Sequence, residues 1–116
     1  GDLLAATASL GCTGSDVRGV YAGGITPSVV NVIQYVTIAS TGDATDFGDL
    51  TDERRLPGGV SNNTRGVIAG GYANPATVAT VDYITIASTG DAADFGDMTI
   101  ARENMGSGSN GHGGLQ

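Results

Sequence analysis

Between Thr80 and Ala87 the chain alternates. Val81, Tyr83 and Thr85 fall on one side of an extended segment, and Asp82, Ile84 and Ile86 fall on the other. Period-two alternation rich in β-branched and aromatic residues predicts a strand. Three further short segments have the same character: Leu56–Ser61, Arg65–Gly71 and Asp94–Thr99. Turn residues separate them. Asn62-Asn63 tolerates positive φ and suits a tight hairpin, and Ser88-Thr89-Gly90-Asp91 breaks the chain before the fourth strand. No apolar pattern of period 3.6 reaches helical length. The expected unit is a four-stranded antiparallel meander.

The unit recurs. Tyr35–Thr51 and Tyr83–Thr99 are identical at 14 of 17 positions, 48 residues apart, and Val17–Gly24 matches Thr64–Gly71 at a spacing of 47. One residue is therefore gained between Gly71 and Tyr83, most simply in the Asn74-Pro75 turn, because a ladder cannot absorb an insertion. Gly1-Asp2-Leu3, Gly48-Asp49-Leu50 and Gly96-Asp97-Met98 are equivalent. They divide the chain into repeats 1–47 and 48–95 and a partial repeat 96–116, about 2.4 repeats of 47–48 residues. Strands should centre near Val20, Tyr35, Phe47, Val67, Tyr83 and Phe95. The core is expected to comprise Leu50, Val67, Ile68, Ile84, Ile86, Phe95 and Met98 with their first-repeat equivalents.

Four strands in each period of about 40–50 residues is the signature of a propeller blade. The fold class expected is all-β, in kelch-like four-stranded blades. Kelch blades carry a glycine pair closing the second strand, a tyrosine in the third and an aromatic residue in the fourth. Here these are Gly23-Gly24 and Gly70-Gly71, Tyr35 and Tyr83, and Phe47 and Phe95. Arg54 and Arg102 follow the fourth strand, where kelch blades often have arginine. Thr7 in the first repeat, and phenylalanine in place of the usual tryptophan, depart from that pattern.

The tandem segments around Tyr83–Asp97 and Arg65–Gly71 also resemble repeats of long structural proteins of bacteriophages, especially phages of cyanobacteria, and of some bacterial surface proteins. That resemblance implies a non-enzymatic structural or adhesive segment of a tail fibre or other virion appendage. The protein would sit on the virion or outside the cell, and host-surface glycan recognition would reside in loops. The alternative is a bacterial extracellular fibre or adhesin subunit. The partners expected are other copies or other repeats of the same protein. Two and a fraction blades do not close a ring. Residues 1–4 and 105–116 are therefore expected to pair with strands outside the chain, and the chain alone to be poorly folded or aggregated.

Composition narrows the partners further. The net charge is −7, and the only cations are five arginines: Arg18, Arg54, Arg55, Arg65 and Arg102. Such a chain cannot track a phosphate backbone, which argues against nucleic acid. No apolar run approaches a membrane span, so insertion into a membrane is not expected. Twenty glycines, about twice ordinary usage, serve turns.

Several residues invite chemistry. Asp43, Asp46 and Asp49 recur as Asp91, Asp94 and Asp97, and hard oxygens at such spacing could gather calcium. The plainer reading puts Asp43 and Asp91 in turns and bonds the others to backbone amides. That reading is preferred, so no metal and no cofactor is assigned. The arginines are expected to pair with aspartates from repeat to repeat. Asn62-Asn63-Thr64 is a glycosylation sequon in a turn. Cys12 aligns with Gly59 and is expected to be a buried, inert thiol. His112 stands once in a turn, and no Ser–His–Asp set, phosphate loop or metal-ligand cluster accompanies it, so no catalytic residue is assigned.

Overall fold

A computed structural model describes residues 1–109. His112 lies outside the described residues, as does the end of the partial third repeat. The described residues are all β, without a helix, and so contain no helix long and apolar enough to cross a membrane. The strands are β1 (Gly11–Gly14), β2 (Arg18–Ala22), β3 (Val32–Thr37), β4 (Thr45–Asp49), β5 (Gly58–Ser61), β6 (Arg65–Ala69), β7 (Tyr72–Ala73), β8 (Ala76–Thr77), β9 (Thr80–Thr85) and β10 (Ala93–Asp97). They form two antiparallel four-stranded sheets, in order β1-β2-β3-β4 and β5-β6-β9-β10, plus the small β7–β8 hairpin. The repeat boundary at 47/48 falls inside β4. Each sheet closes just past it, and residues 50–57 cross to the next sheet.

Local chemistry explains the strand ends. In the first hairpin, Ser15 Oγ accepts bonds from the amides of Val17 and Arg18, at 3.1 Å each. In the second, Asn62 Oδ1 accepts from Thr64 and Arg65 at 2.9 and 2.8 Å. The Asn-Asn pair therefore works through a side-chain turn rather than through positive φ, which neither residue adopts. The extra residue of the second repeat is visible. Ile25 bridges Val29 in the first sheet's loop, whereas the equivalent Tyr72 pairs with Thr77, one residue further on.

The two sheets stack. Val20, Ala22, Ile33 and Phe47 of the first sheet, with Leu50, pack against Ile68, Ile84 and Ile86 of the second. This core contains one face of each sheet, which corrects the expectation that both copies of every apolar position are buried. Phe47 is 3% exposed, whereas its equivalent Phe95 is 57% exposed. Ile86 is 1% exposed, whereas its equivalent Ile38 is 59% exposed. Met98 and Val67 are only half-buried. The physical reason is common to all of them: the far face of each sheet has no sheet over it. Cys12 is exposed, not buried, for the same reason. Its counterpart Gly59 lies under β1, where an added Cβ would meet the Cys12 carbonyl, but no earlier sheet covers Cys12.

Residues 1–4 do not wait for outside strands. The Asp2 amide donates to Asp43 Oδ1 at 2.9 Å, the Ala44 amide donates to the Asp2 carbonyl at 2.8 Å, and the Leu4 amide donates to Gln34 Oε1 at 2.8 Å. At the other end, Ser107 Oγ donates to the Gly59 carbonyl at 2.8 Å, again within the chain.

Two equivalent phenylalanines thus have unequal environments. Phe47→Ala should lower the unfolding free energy by about 3–5 kcal/mol, and Phe95→Ala by less than about 1 kcal/mol, as expected for a surface position. Chemical denaturation of both variants checks this, and equal losses would contradict the stacking described.

Candidate functional site

The junction between the sheets is the most elaborated region of the molecule, and it is built at three levels. At the inner edge β1 lies beside β5. Thr13 Oγ1 donates to the Val60 carbonyl at 2.9 Å, and Ser61 Oγ donates to the Gly14 carbonyl at 2.6 Å. At the outer edge, the amides of Gly90 and Ala92 donate to the carbonyls of Phe47 and Asp49 at 2.7 and 2.8 Å. Asp91 Oδ1 accepts the Asp49 amide at 3.0 Å.

The middle level is Arg54. Its carbonyl accepts the Gly24 amide at 2.9 Å and its own amide donates to the Val30 carbonyl at 3.2 Å, so its backbone belongs to the first sheet. Its side chain crosses to the second sheet. There Nη2 donates to Asp82 Oδ2 at 2.9 Å and to the Ile68 carbonyl at 3.3 Å. Both charged side chains are 0% exposed. Asp82 also accepts from the Thr51 amide at 3.0 Å and from Thr51 Oγ1 at 2.7 Å. Burial pushes the Arg54 guanidinium below its ordinary range, opposed by the neighbouring charges of Asp82 and Asp52. Its Nε and Nη1 are buried with no bonding partner.

The glycine pair makes this approach possible. Gly23 has φ +69°, and a Cβ there would collide with the Arg54 carbonyl oxygen. Gly70 repeats the geometry, with φ +64° and the Arg102 carbonyl oxygen 2.5 Å from its would-be Cβ. These positions need glycine both for the left-handed backbone and for the close contact.

The remaining predicted residues fall as follows. Tyr35 meets Phe47 edge-on with ring centroids 5.8 Å apart, and Tyr83 meets Phe95 at 6.0 Å. Arg18 and Arg65 do not pair with aspartates. They lie over the rings of Tyr35 and Tyr83, 4.2 and 4.4 Å from the centroids, and Arg18 Nη1 also donates to the Ile86 carbonyl at 2.8 Å. Asp43, Asp91 and Asp94 accept backbone amides, while Asp46, Asp49 and Asp97 lie exposed on the outer strands. Among the described residues no group of three His, Cys, Asp or Glu side chains could hold a metal. Asn62 is exposed, with its amide oxygen engaged in the turn.

Sequence reading did not single out Asp82, Thr51 or Gln34. The signal was present in the alternation, which puts Asp82 on the same face as Ile84 and Ile86. A charge on an otherwise apolar strand face demands a partner.

Beside the junction, the loop carrying Ile25 and Val29 and the β7–β8 hairpin flank an open groove of about 540 Å³. Glu53, Arg55, Tyr72 and Asn74 are among the residues that line it. The Arg55 guanidinium sits 5.2 Å from the Tyr72 ring centroid.

No protein-family model matches the chain, and no curated protein matches it.

Two outcomes follow from the junction. Arg54→Ala should destabilise by about 3–5 kcal/mol, because it strands a buried carboxylate, and the double change Arg54→Leu with Asp82→Leu should recover most of that loss. Thermal and denaturant melts of the three proteins check this. Of the aspartates expected to bond backbone amides only Asp94 does so, and among the described residues Asp46, Asp49 and Asp97 join no group of three metal-ligating side chains. A chelator should therefore leave the melting temperature unchanged, while Asp91→Ala should cost about 1 kcal/mol through the lost bond to Asp49. A chelator-induced drop would instead assign calcium to the aspartates.

Proposed function

We propose that the chain is a non-enzymatic structural and adhesive segment of a tail fibre or other virion appendage, assembled from kelch-like blades that stack front to back. One observation carries this reading. The front face of the first sheet fits the back face of the second, and the same two faces reappear uncovered at the opposite sides of the molecule as Phe95 and Ile38. A unit whose two sides complement each other suits repetition, since its stability grows through nearest-neighbour interfaces. Its chemistry supports the same view: the buried charged pair, Arg54 and Asp82, serves the junction between sheets rather than a cleft.

The groove flanked by the 25–29 loop and the β7–β8 hairpin is the surface assigned to contact with a host-surface glycan. Its volume lies within the range of small-ligand sites, and loops on a rigid scaffold are where recognition usually resides. The bacterial fibre or adhesin reading shares this surface and differs only in which particle carries it.

Immunogold labelling with antibodies to the purified chain separates the readings. Label on phage tails or appendages is the expected result. Label on the bacterial surface alone would select the adhesin alternative. Label confined to the cell interior, with none on virions, would overturn both.

A further inference from the structure

Arg102 occupies the place of Arg54 one repeat later. Its carbonyl accepts the Gly71 amide at 2.8 Å, as that of Arg54 accepts the Gly24 amide at 2.9 Å. The two side chains differ in their surroundings: Arg54 is buried against the next sheet, and Arg102 is exposed. Phe95, on the same side of the second sheet, is equally uncovered. The junction already present in the chain shows what fits there. It is a sheet presenting apolar residues at the positions of Ile68, Ile84 and Ile86, with a carboxylate at the position of Asp82.

We infer that this face takes a further repeat of the same sequence type, and that Arg102 restricts the occupant to a repeat with an acidic residue at the Asp82 position. The inference rests on the front-to-back stacking proposed above and adds to it a rule for which repeat follows which.

The rule is visible twice within the chain. Where the crossing segment carries Arg54, the sheet it meets carries Asp82, and the Thr51 amide donates to that carboxylate. Where the equivalent segment carries Thr7, the sheet carries Gln34 at the matching position, 2% exposed. There the Leu4 amide, equivalent to that of Thr51, donates to Gln34 Oε1, and the Thr7 hydroxyl turns back to the Ala5 carbonyl. A charged residue in the crossing segment thus goes with a charged one at the matching sheet position, and a neutral one with a neutral one. Mixing them would be costly. Arg54 already leaves Nε and Nη1 without partners. Without the acid, the cation would retain only the Ile68 carbonyl in a site closed to water, an uncompensated buried charge. An aspartate facing threonine would fail in the converse way. Such a pairing selects partners by penalising wrong ones.

The test continues the chain in register after Met105 with a copy of its own residues 58–105, so that a third repeat lies beyond Arg102. Three versions are compared: the copy unchanged, the copy with Asp82→Asn, and the copy with Asp82→Gln combined with Arg102→Thr in the original chain. Amide hydrogen exchange in the appended repeat reads docking. The unchanged copy should be protected. Asp82→Asn should raise its opening constant on the order of a hundredfold or more, and the Thr–Gln combination should restore most of the protection. Equal protection with Asp and Asn would overturn the charge rule and leave the stacking reading standing. An appended repeat that stays unprotected in all three versions would overturn the stacking reading and the rule together.

Discussion

A sheet with apolar residues on both faces must be covered twice, and that requirement organises this molecule. Val81 and Tyr83 alternate with Asp82, Ile84 and Ile86 along one strand, so neither side of β9 is a solvent side. The second sheet covers the first with its back face, and its own front face is left over. Other features follow from this front-to-back contact. The glycine pairs let the crossing segment approach the end of the second strand. The outer strand β4 zips to the turn before β10. The inner strands β1 and β5 lie side by side through hydroxyl bonds.

Arg54 and Asp82 are a poor choice for stability alone. Removing two charges from water costs several kcal/mol per ion, and well-packed apolar residues would often serve as well or better. Two unpartnered nitrogens on Arg54 make the balance worse. What the pair does provide is direction and identity. One end is fastened to the first sheet through backbone bonds, and the other end is read by the second sheet through charge. In a stack of near-identical sheets, where apolar faces alone would accept several registers, such a contact distinguishes the right neighbour from a similar one.

Much of the local architecture was legible in the sequence. The four strands of each unit follow from the pattern within one repeat, the added residue at Asn74-Pro75 follows from comparing two repeats, and the glycine pairs at 23–24 and 70–71 follow from the resemblance to kelch blades. The unequal fates of equivalent residues were not legible. Phe47 and Phe95 sit in nearly identical segments, as do Ile86 and Ile38 in equivalent ones, and repetition predicts equal burial. Burial is decided by what lies across the interface, and one sequence period carries no record of that. Cys12 was misjudged for the same reason. Asp82 was legible in principle, because a carboxylate sharing a strand face with two isoleucines needs a cation. Finding Arg54 as its partner required the crossing of residues 50–57, which periodicity does not describe.

The first residues of the chain and the last described ones illustrate how differently its two kinds of bonding are satisfied. Asp2 and Leu4 take up the hydrogen-bonding roles that Asp49 and Thr51 play one repeat later, and Ser109 Oγ accepts the Ser61 amide as Ser61 Oγ accepts that of Gly14. A strip of a few residues is sufficient for this, because hydrogen bonds are directional and local. Apolar burial scales with area, and a strip along the rim supplies little of it. Ile38 therefore stays open beside a rim where Asp2 and Leu4 already bond, and Phe95 stays open on the other side. Edge bonds can be met within one chain, but the middle of a sheet face can be covered only by another layer. The stacking surface is thus defined by its apolar centre, and the charge of Arg102 beside it specifies which layer fits.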